Sequence, residues 1–234
     1  MWKILRAGGR IFLFLSAYLL VSLSTCVEAR SQERQVDLAL VLAVDVSGSI
    51  NTDRWGLQRN GYVDAFMSPA VISAITRGQR RAVAVTMVQW ASSTEQRASV
   101  GWHVIHDEHS SKAFAAKISD TPRLYTGSTG IGAAIDFCSL LLSPPPFGAL
   151  RRVIDISGDG TSNSGGLPSV AREFAVRKGI TINGLPIVAD EKNIVDYYRR
   201  QVVGGPGAFL VVAENFQSFA IAIRHKLVLE IASR

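Results

Sequence analysis

The chain has 234 residues, of which 47% are hydrophobic and 19% are charged, so it can bury a substantial core within one α/β domain and leaves little room for two. The formal net charge is +6, but Lys3, Arg6 and Arg10 against Glu28 lie in the first 29 residues, and the rest carries a net charge of +4. This mild excess, with no run of clustered Lys and Arg interleaved with aromatics, argues against a nucleic-acid partner.

The first 29 residues have the organisation of an export signal. A basic stretch over residues 1–10 precedes an apolar run over residues 11–21, and Val27-Glu28-Ala29 forms a small-residue cleavage pattern. We therefore expect residues 1–29 to be a signal peptide and the mature chain to begin near Arg30. The protein is then periplasmic or secreted, and the membrane is involved only through the export signal.

Two alternatives to cleavage at Ala29 stay open at this stage. The first is an uncleaved anchor, but the apolar stretch over residues 11–23 is shorter than the ~20 residues that a spanning helix needs. The second is lipid attachment at Cys26, where Thr25 replaces the Gly, Ala or Ser that normally precedes such a cysteine. Cleavage at Ala29 would remove Cys26 and leave Cys138 as the only thiol, so no internal disulfide could brace the mature domain.

The following residues alternate between strand and helix patterns. The first strand, residues 38–44, is wholly apolar and ends at Asp45, which is typical of a strand covered on both faces of a parallel sheet. The patterns predict further strands over residues 81–90, 98–105, 153–157, 180–188 and 208–212. They predict helices over residues 53–67, 112–118, 129–142, 166–178 and 193–202, a second helical turn from Ser68-Pro69, and a closing amphipathic helix with the stripe Phe216, Phe219, Ile223, Leu227 and Ile231.

This alternation predicts the fold class. Strands that alternate with helices indicate a doubly wound α/β domain, with a mostly parallel sheet and helices on both faces. The two strands over residues 81–90 and 98–105 resemble a hairpin, which places one antiparallel strand at the edge of the sheet. Because no internal repeat and no long linker divides the chain, we expect a single domain over residues 36–234.

The segment that carries chemistry follows the first strand directly. Asp45, Ser47 and Ser49 form a D-x-S-x-S pattern at the carboxyl end of that strand, and ligands of open α/β sheets bind at this edge. A carboxylate and two hydroxyls spaced by two along a tight turn can direct their oxygens into one space. Mg²⁺ prefers such oxygen ligands, although Ser and Gly after a strand also make ordinary turns and helix caps.

Two further segments complete a known constellation. Thr126-Gly127-Ser128-Thr129-Gly130 precedes a predicted helix, and Ser157-Gly158-Asp159-Gly160 ends a predicted strand. With the D-x-S-x-S pattern, the chain resembles the von Willebrand factor A and integrin-insertion domain family, whose metal-ion-dependent adhesion site joins D-x-S-x-S, a threonine and the aspartate of a D-G pair. The resemblance covers about residues 36–234 and looks like a bacterial exported branch of unassigned function.

The resemblance implies a metal site formed by five residues: Asp45, Ser47, Ser49, Thr129 and Asp159. It implies that Ser47 and Ser49 bind the cation directly, that Thr129 binds directly or through water, and that the two aspartates act largely through water. The expected ion is Mg²⁺, with Mn²⁺ or Ca²⁺ as alternatives. Many family members have Thr where this chain has Gly158, a departure that we expect to loosen the loop and to leave the ligand in place.

The function that this resemblance implies is cation-dependent binding of a protein partner, with no enzymatic activity. Neutral hydroxyls leave the cation with an affinity for a further carboxylate, so the partner is expected to supply an Asp or Glu side chain. One alternative is a metal-dependent phosphoester hydrolase that uses Asp45, although Ser47 stands where a second acidic residue would be wanted. Another is a structural envelope protein in which the metal only stabilises the fold.

Overall fold

The computed structural model describes residues 35–144, 147–189 and 191–233. These residues belong to a compact unit that spans Arg34–Arg234. The predicted export signal and its cleavage site lie outside the described residues. Within the part of the chain that is described, no helix is long and apolar enough to cross a membrane.

A five-stranded sheet forms the centre of this unit, with the strand order β3-β2-β1-β4-β5. Its strands are β1 (Gln35–Asp45), β2 (Val83–Trp90), β3 (Gln96–Ile105), β4 (Gly148–Gly158) and β5 (Thr181–Pro186). The pairs β1–β2, β1–β4 and β4–β5 are parallel, and β3 pairs antiparallel with β2 at one edge. The fold class predicted from the sequence is therefore confirmed.

Strand β1 is buried along almost its whole length because helices cover both faces of the sheet. Alternate side chains along β1 point to opposite faces, so Leu38, Leu40 and Leu42 enter one core cluster while Ala39 and Val41 enter the other. Residues of the first cluster lie on the helices α1 (Thr52–Met67), α2 (Pro69–Thr76), α3 (Glu108–Ser119) and α7 (Phe219–Ala232). The second cluster includes residues of α4 (Ile131–Leu141), α5 (Pro168–Arg177), α6 (Ile194–Tyr197) and a π-helical turn, Tyr198–Val202.

Two predicted elements differ from the structure in an informative way. The helix expected over residues 112–118 begins earlier, at Glu108, because the side chain of Asp107 accepts a hydrogen bond from the backbone of Ser110 and caps it. The helix expected over residues 193–202 is a single α-helical turn that continues into the π-helical turn from Tyr198.

No strand forms over residues 208–212, so this prediction is wrong: the segment pairs with β5 through one isolated bridge, at Gly184–Leu210. A side chain explains part of the difference. The Asn183 carbonyl oxygen accepts a hydrogen bond from the backbone N–H of Phe209 at 2.8 Å. That N–H is therefore unavailable to a regular strand ladder.

Candidate metal centre

Three loops meet at the carboxyl edge of the sheet. Because β1 and β4 are parallel neighbours, with Val44 opposite Ser157, Asp45 at the end of β1 and Asp159 just past β4 lie on the same edge. The strand after β1 in the chain, β2, lies on one side of β1, and β4 lies on the other side. This change of direction opens a crevice at the carboxyl end of β1, and open α/β sheets bind ligands in such a crevice. Thr129 reaches this crevice from the loop that precedes α4.

The structure brings the five predicted residues together through a chain of polar contacts. The Ser47 hydroxyl lies 3.4 Å from the hydroxyl of Ser49 and 3.4 Å from that of Thr129. Ser49 donates a hydrogen bond of 2.6 Å to Oδ1 of Asp159. Asp45 accepts one of 2.7 Å from the backbone N–H of Ser47. Ser49 is exposed while the other four are buried, so the cluster opens to solvent on the side of Ser49.

Asp45 is the most deeply placed of the five. It is fully buried, and its Oδ2 has no hydrogen-bond partner among the described residues. Burial raises the pKa of Asp45 to about 7, with a smaller contribution in the same direction from the charge of Asp159. A cation beside this carboxyl would favour its ionised form. Without one, the charge of Asp45 is poorly compensated near neutral pH.

Close backbone approach holds the other two loops in place. The backbone N–H of Gly48 donates to the carbonyl of Gly127 at 2.8 Å, and a Cβ at Gly48 would lie 3.3 Å from the carbonyl oxygen of Thr126. Thr129 and Asn163 exchange two hydrogen bonds of 2.8 Å, one through the Asn163 side chain and one through its backbone. These contacts join the loop of Thr129 to the loop that follows Asp159.

Sequence reasoning missed a basic residue at this site. Arg54, in the first turn of α1, donates to Oδ2 of Asp159 at 3.2 Å and to the carbonyl of Ser49 at 3.0 Å. Its guanidinium also lies 4.9 Å from the centre of the Phe216 ring. No pattern in the sequence marks Arg54, because only packing of α1 against the site brings it to Asp159.

The donor set fits a small hard cation. An octahedral Mg²⁺ with oxygen ligands at about 2.1 Å separates adjacent ligands by roughly 3 Å, and the two hydroxyl contacts of 3.4 Å are close to this spacing. Oδ2 of Asp45, which has no hydrogen-bond partner among the described residues, adds an acceptor oxygen next to Ser47. Ser47, Ser49 and Thr129 are thus the residues placed to hold a cation, with Asp45 and Asp159 beside them.

Gly158 lies in a tightly packed place behind this cluster. A Cβ built on Gly158 would lie 2.8 Å from Oδ2 of Asp45 and 2.8 Å from the hydroxyl of Tyr198. Both distances are shorter than ordinary carbon–oxygen contacts, and both neighbours are fully buried. The departure from the threonine of many family members therefore coincides with a tyrosine side chain that occupies the adjacent space.

The strand order, the two helical layers and the position of the site define a von Willebrand factor A-type fold. The chain belongs to the family described as "Protein of unknown function (DUF1194)", whose model matches residues 35–234. No curated protein sequence matches it.

Solved structures share this fold at low sequence identity. Proximal thread matrix protein 1 (PTMP1) from the mussel byssus is 17% identical with a TM-score of 0.62, over 86% of this chain and 49% of that chain. Another structure of PTMP1 is described as having a zinc-occupied MIDAS motif, the metal-ion-dependent adhesion site. A von Willebrand factor type A protein from Catenulispora acidiphila is 14% identical with a TM-score of 0.58, over 84% and 43%.

One match is of similar length to this chain. The conserved hypothetical protein BatB from Bacteroides thetaiotaomicron is 19% identical with a TM-score of 0.51, over 83% of this chain and 98% of that chain. By contrast, this chain spans about half the length of the mussel protein. At these identities the comparisons establish the fold.

Proposed function

We propose that this protein is an exported, cation-dependent protein-binding module. In this proposal Ser47, Ser49 and Thr129 hold Mg²⁺, and an Asp or Glu side chain of a protein partner completes the coordination. The observation that carries it is the run of three hydroxyl oxygens at 3.4 Å spacing, which ends at the exposed Ser49 and is flanked by two aspartates.

The charge balance of the site favours an external carboxylate. Three neutral hydroxyls transfer little charge to a dication, and Oδ2 of Asp159 is already paired with Arg54. A bound cation would therefore keep a net attraction for an anionic oxygen, which is strongest in a partly dry site. The zinc-occupied motif of PTMP1 supports this proposal, because that protein of the same fold holds a divalent ion. Mg²⁺ is the proposed ion here, with Mn²⁺ and Ca²⁺ as alternatives.

A metal-dependent phosphoester hydrolase is the competing proposal, and the site itself supports it less. The second position of the D-x-S-x-S segment is Ser47, whose hydroxyl faces Ser49 and Thr129, where such chemistry would call for a second carboxylate. We therefore propose no enzymatic activity. Turnover of a chromogenic phosphate monoester in Mg²⁺ or Mn²⁺ that is lost in the Asp45→Asn variant would favour the hydrolase instead.

The first prediction concerns the site residues. Ser47→Ala or Asp159→Ala is expected to reduce Mg²⁺ or Mn²⁺ binding below detection by calorimetric titration, because each removes an oxygen from the cluster. Both variants should keep the circular dichroism of the parent, since the core clusters do not depend on these side chains. Ser99→Ala on β3 and Asp64→Ala on the exposed face of α1 are matched controls that should bind normally. Unchanged affinity in either site variant would remove that residue from the site.

Export is proposed from residues 1–29 alone. Protein recovered outside the cytoplasm is expected to have an intact mass that begins near Arg30, because Ala29 closes the cleavage pattern. A mass that retains these residues, or a lipid on Cys26, would contradict the prediction. Either result would leave the proposed binding site unaffected, since its residues lie after residue 44.

A further inference from the structure

Two buried polar atoms without partners face the same space behind the candidate metal centre. They are Oδ2 of Asp45 and the hydroxyl of Tyr198, and neither has a hydrogen-bond partner among the described residues. Both side chains are fully buried. The space is the one above Gly158, where a Cβ would lie 2.8 Å from each of the two oxygens.

The two atoms are chemically complementary. An ionised carboxylate only accepts hydrogen bonds, while a phenol hydroxyl can donate one. Buried polar groups are almost always paired, yet these two oxygens flank the same glycine and have no partner among the described residues. Burial, and next the charge of Asp45, raises the pKa of Tyr198 far above its usual range. The hydroxyl therefore keeps the proton that it would donate.

The backbone around Tyr198 is specialised for this position. Tyr198 is the first residue of the π-helical turn, closed by a hydrogen bond of 2.9 Å from the N–H of Val203 to the carbonyl of Tyr198. Such turns are rare and occur frequently at functional sites. The preceding residue, Tyr197, accepts a hydrogen bond of 3.2 Å from the backbone N–H of Ser162 in the loop after Asp159. Two consecutive tyrosines thus reach two parts of the same site.

We propose that the hydroxyl of Tyr198 donates a hydrogen bond to Oδ2 of Asp45 when the site holds its cation, in the space that Gly158 leaves open. Tyr198 is then a positioning residue: it orients the carboxylate that lies behind Ser47 and Ser49, and it touches neither the cation nor the partner. This inference rests on the proposed cation site. It also gives a physical reason for the glycine at position 158, because a Cβ there would crowd both oxygens.

The test removes only the hydroxyl, in Tyr198→Phe, and measures Mn²⁺ and Mg²⁺ affinity by calorimetric titration. Loss of a hydrogen bond that orients a group beside a metal weakens binding by roughly 10- to 100-fold, and we expect a loss in that range. In chelator the thermal unfolding temperature of the variant should be unchanged or higher, because the substitution eliminates an unpaired buried hydroxyl. A merely structural tyrosine would not show this opposite behaviour.

Tyr62→Phe is the matched control. Its hydroxyl is equally buried and lies 3.1 Å from the hydroxyl of Ser157, one residue before Gly158. This variant should unfold at a lower temperature than the parent protein in chelator, because it loses a hydrogen bond. Its cation affinity should stay within about twofold of the parent, since the lost bond is a neutral one outside the site. A similar loss of affinity in both variants would trace to packing and would overturn the proposal.

The remaining outcomes separate this inference from the proposed function. If the parent protein binds the cation and Tyr198→Phe binds it equally well, the role of Tyr198 is overturned and the cation site stands. If the parent protein binds neither Mn²⁺ nor Mg²⁺, the proposed function fails and the role of Tyr198 fails with it.

Discussion

Replacing Lys226 with methionine is expected to lower the free energy of unfolding by about 3–5 kcal/mol. Lys226 lies on α7, is fully buried, and has its Nζ 2.7 Å from Oδ1 of Asp155 and 3.4 Å from Oε2 of Glu230. Asn183 donates a further hydrogen bond of 2.6 Å to Glu230. Without Lys226, two buried carboxylates would lose the cation between them, which is far more costly than losing an exposed pair.

The stability that Lys226→Met loses should depend on pH, and the surroundings of Asp155 give the direction. Burial raises the pKa of Asp155 to about 6, while the neighbouring charge of Lys226 acts to lower it. A carboxyl whose pKa is higher in the folded state makes its most favourable contribution below its unfolded pKa of about 4 and loses it as the pH rises towards 6. Removing Lys226 raises this pKa further. The variant should therefore lose more stability at pH 8 than at pH 5.

Urea unfolding at the two pH values measures both effects, and the chain offers a close control. Lys112 forms the same i,i+4 type of pair with Glu108, with the two atoms 2.6 Å apart, but both side chains are more than half exposed. Lys112→Met should change the unfolding free energy by less than about 1 kcal/mol. A loss of that small size in Lys226→Met as well would show that the buried cluster is not needed for stability.

Chelating the divalent cation is expected to abolish binding of the protein partner, and changing one acidic residue of that partner to its amide is expected to weaken binding strongly. Under the proposed function the partner's carboxylate enters the open side of the hydroxyl cluster, next to Ser49. Removing one member of a desolvated charge pair costs about 2–5 kcal/mol. The amide substitution should thus weaken partner binding by roughly 30-fold to several thousandfold.

A pull-down from an envelope extract in Mg²⁺ and in chelator would identify such a partner. An alanine and amide scan of its acidic residues, with affinity measured under both conditions, then tests the contact. The Ser47→Ala variant is the control for indirect effects of chelator, because it should fail to bind in either condition. Equal affinity of the parent protein with and without cation would place the interface elsewhere and leave the metal with a structural role only.

Most of the fold follows from local patterns in the chain. The apolar run that ends at Asp45 predicted a strand buried on both faces, and β1 is buried in this way because helices pack on each side. The exception is instructive: residues 208–212 have a strand pattern, but the side chain of Asn183 takes the backbone N–H of Phe209. A side chain from another segment thus takes a backbone N–H that a regular strand ladder would use.

The five residues of the candidate site could be predicted as a set because each stands in a short motif at the end of a strand or before a helix. Their convergence follows from topology, since the carboxyl ends of the parallel strands β1 and β4 share one edge. Whether they bind a cation stays a prediction. The residues around them have no such signal: Arg54 is one basic residue in a helix, and Tyr198 is one of two adjacent tyrosines between charged residues.

The sequence by itself determined the class of fold, the order of its elements and the edge of the sheet where polar oxygens gather, because hydrophobic periodicity and short motifs are local properties of the chain. Only the tertiary structure decided which distant side chains meet. Tyr198 and Asp45, more than 150 residues apart in the chain, both lie against Gly158, and Lys226 reaches Asp155 across about 70 residues. Such contacts depend on the register of the strands and on helix packing, which have no counterpart in the pattern of any single segment.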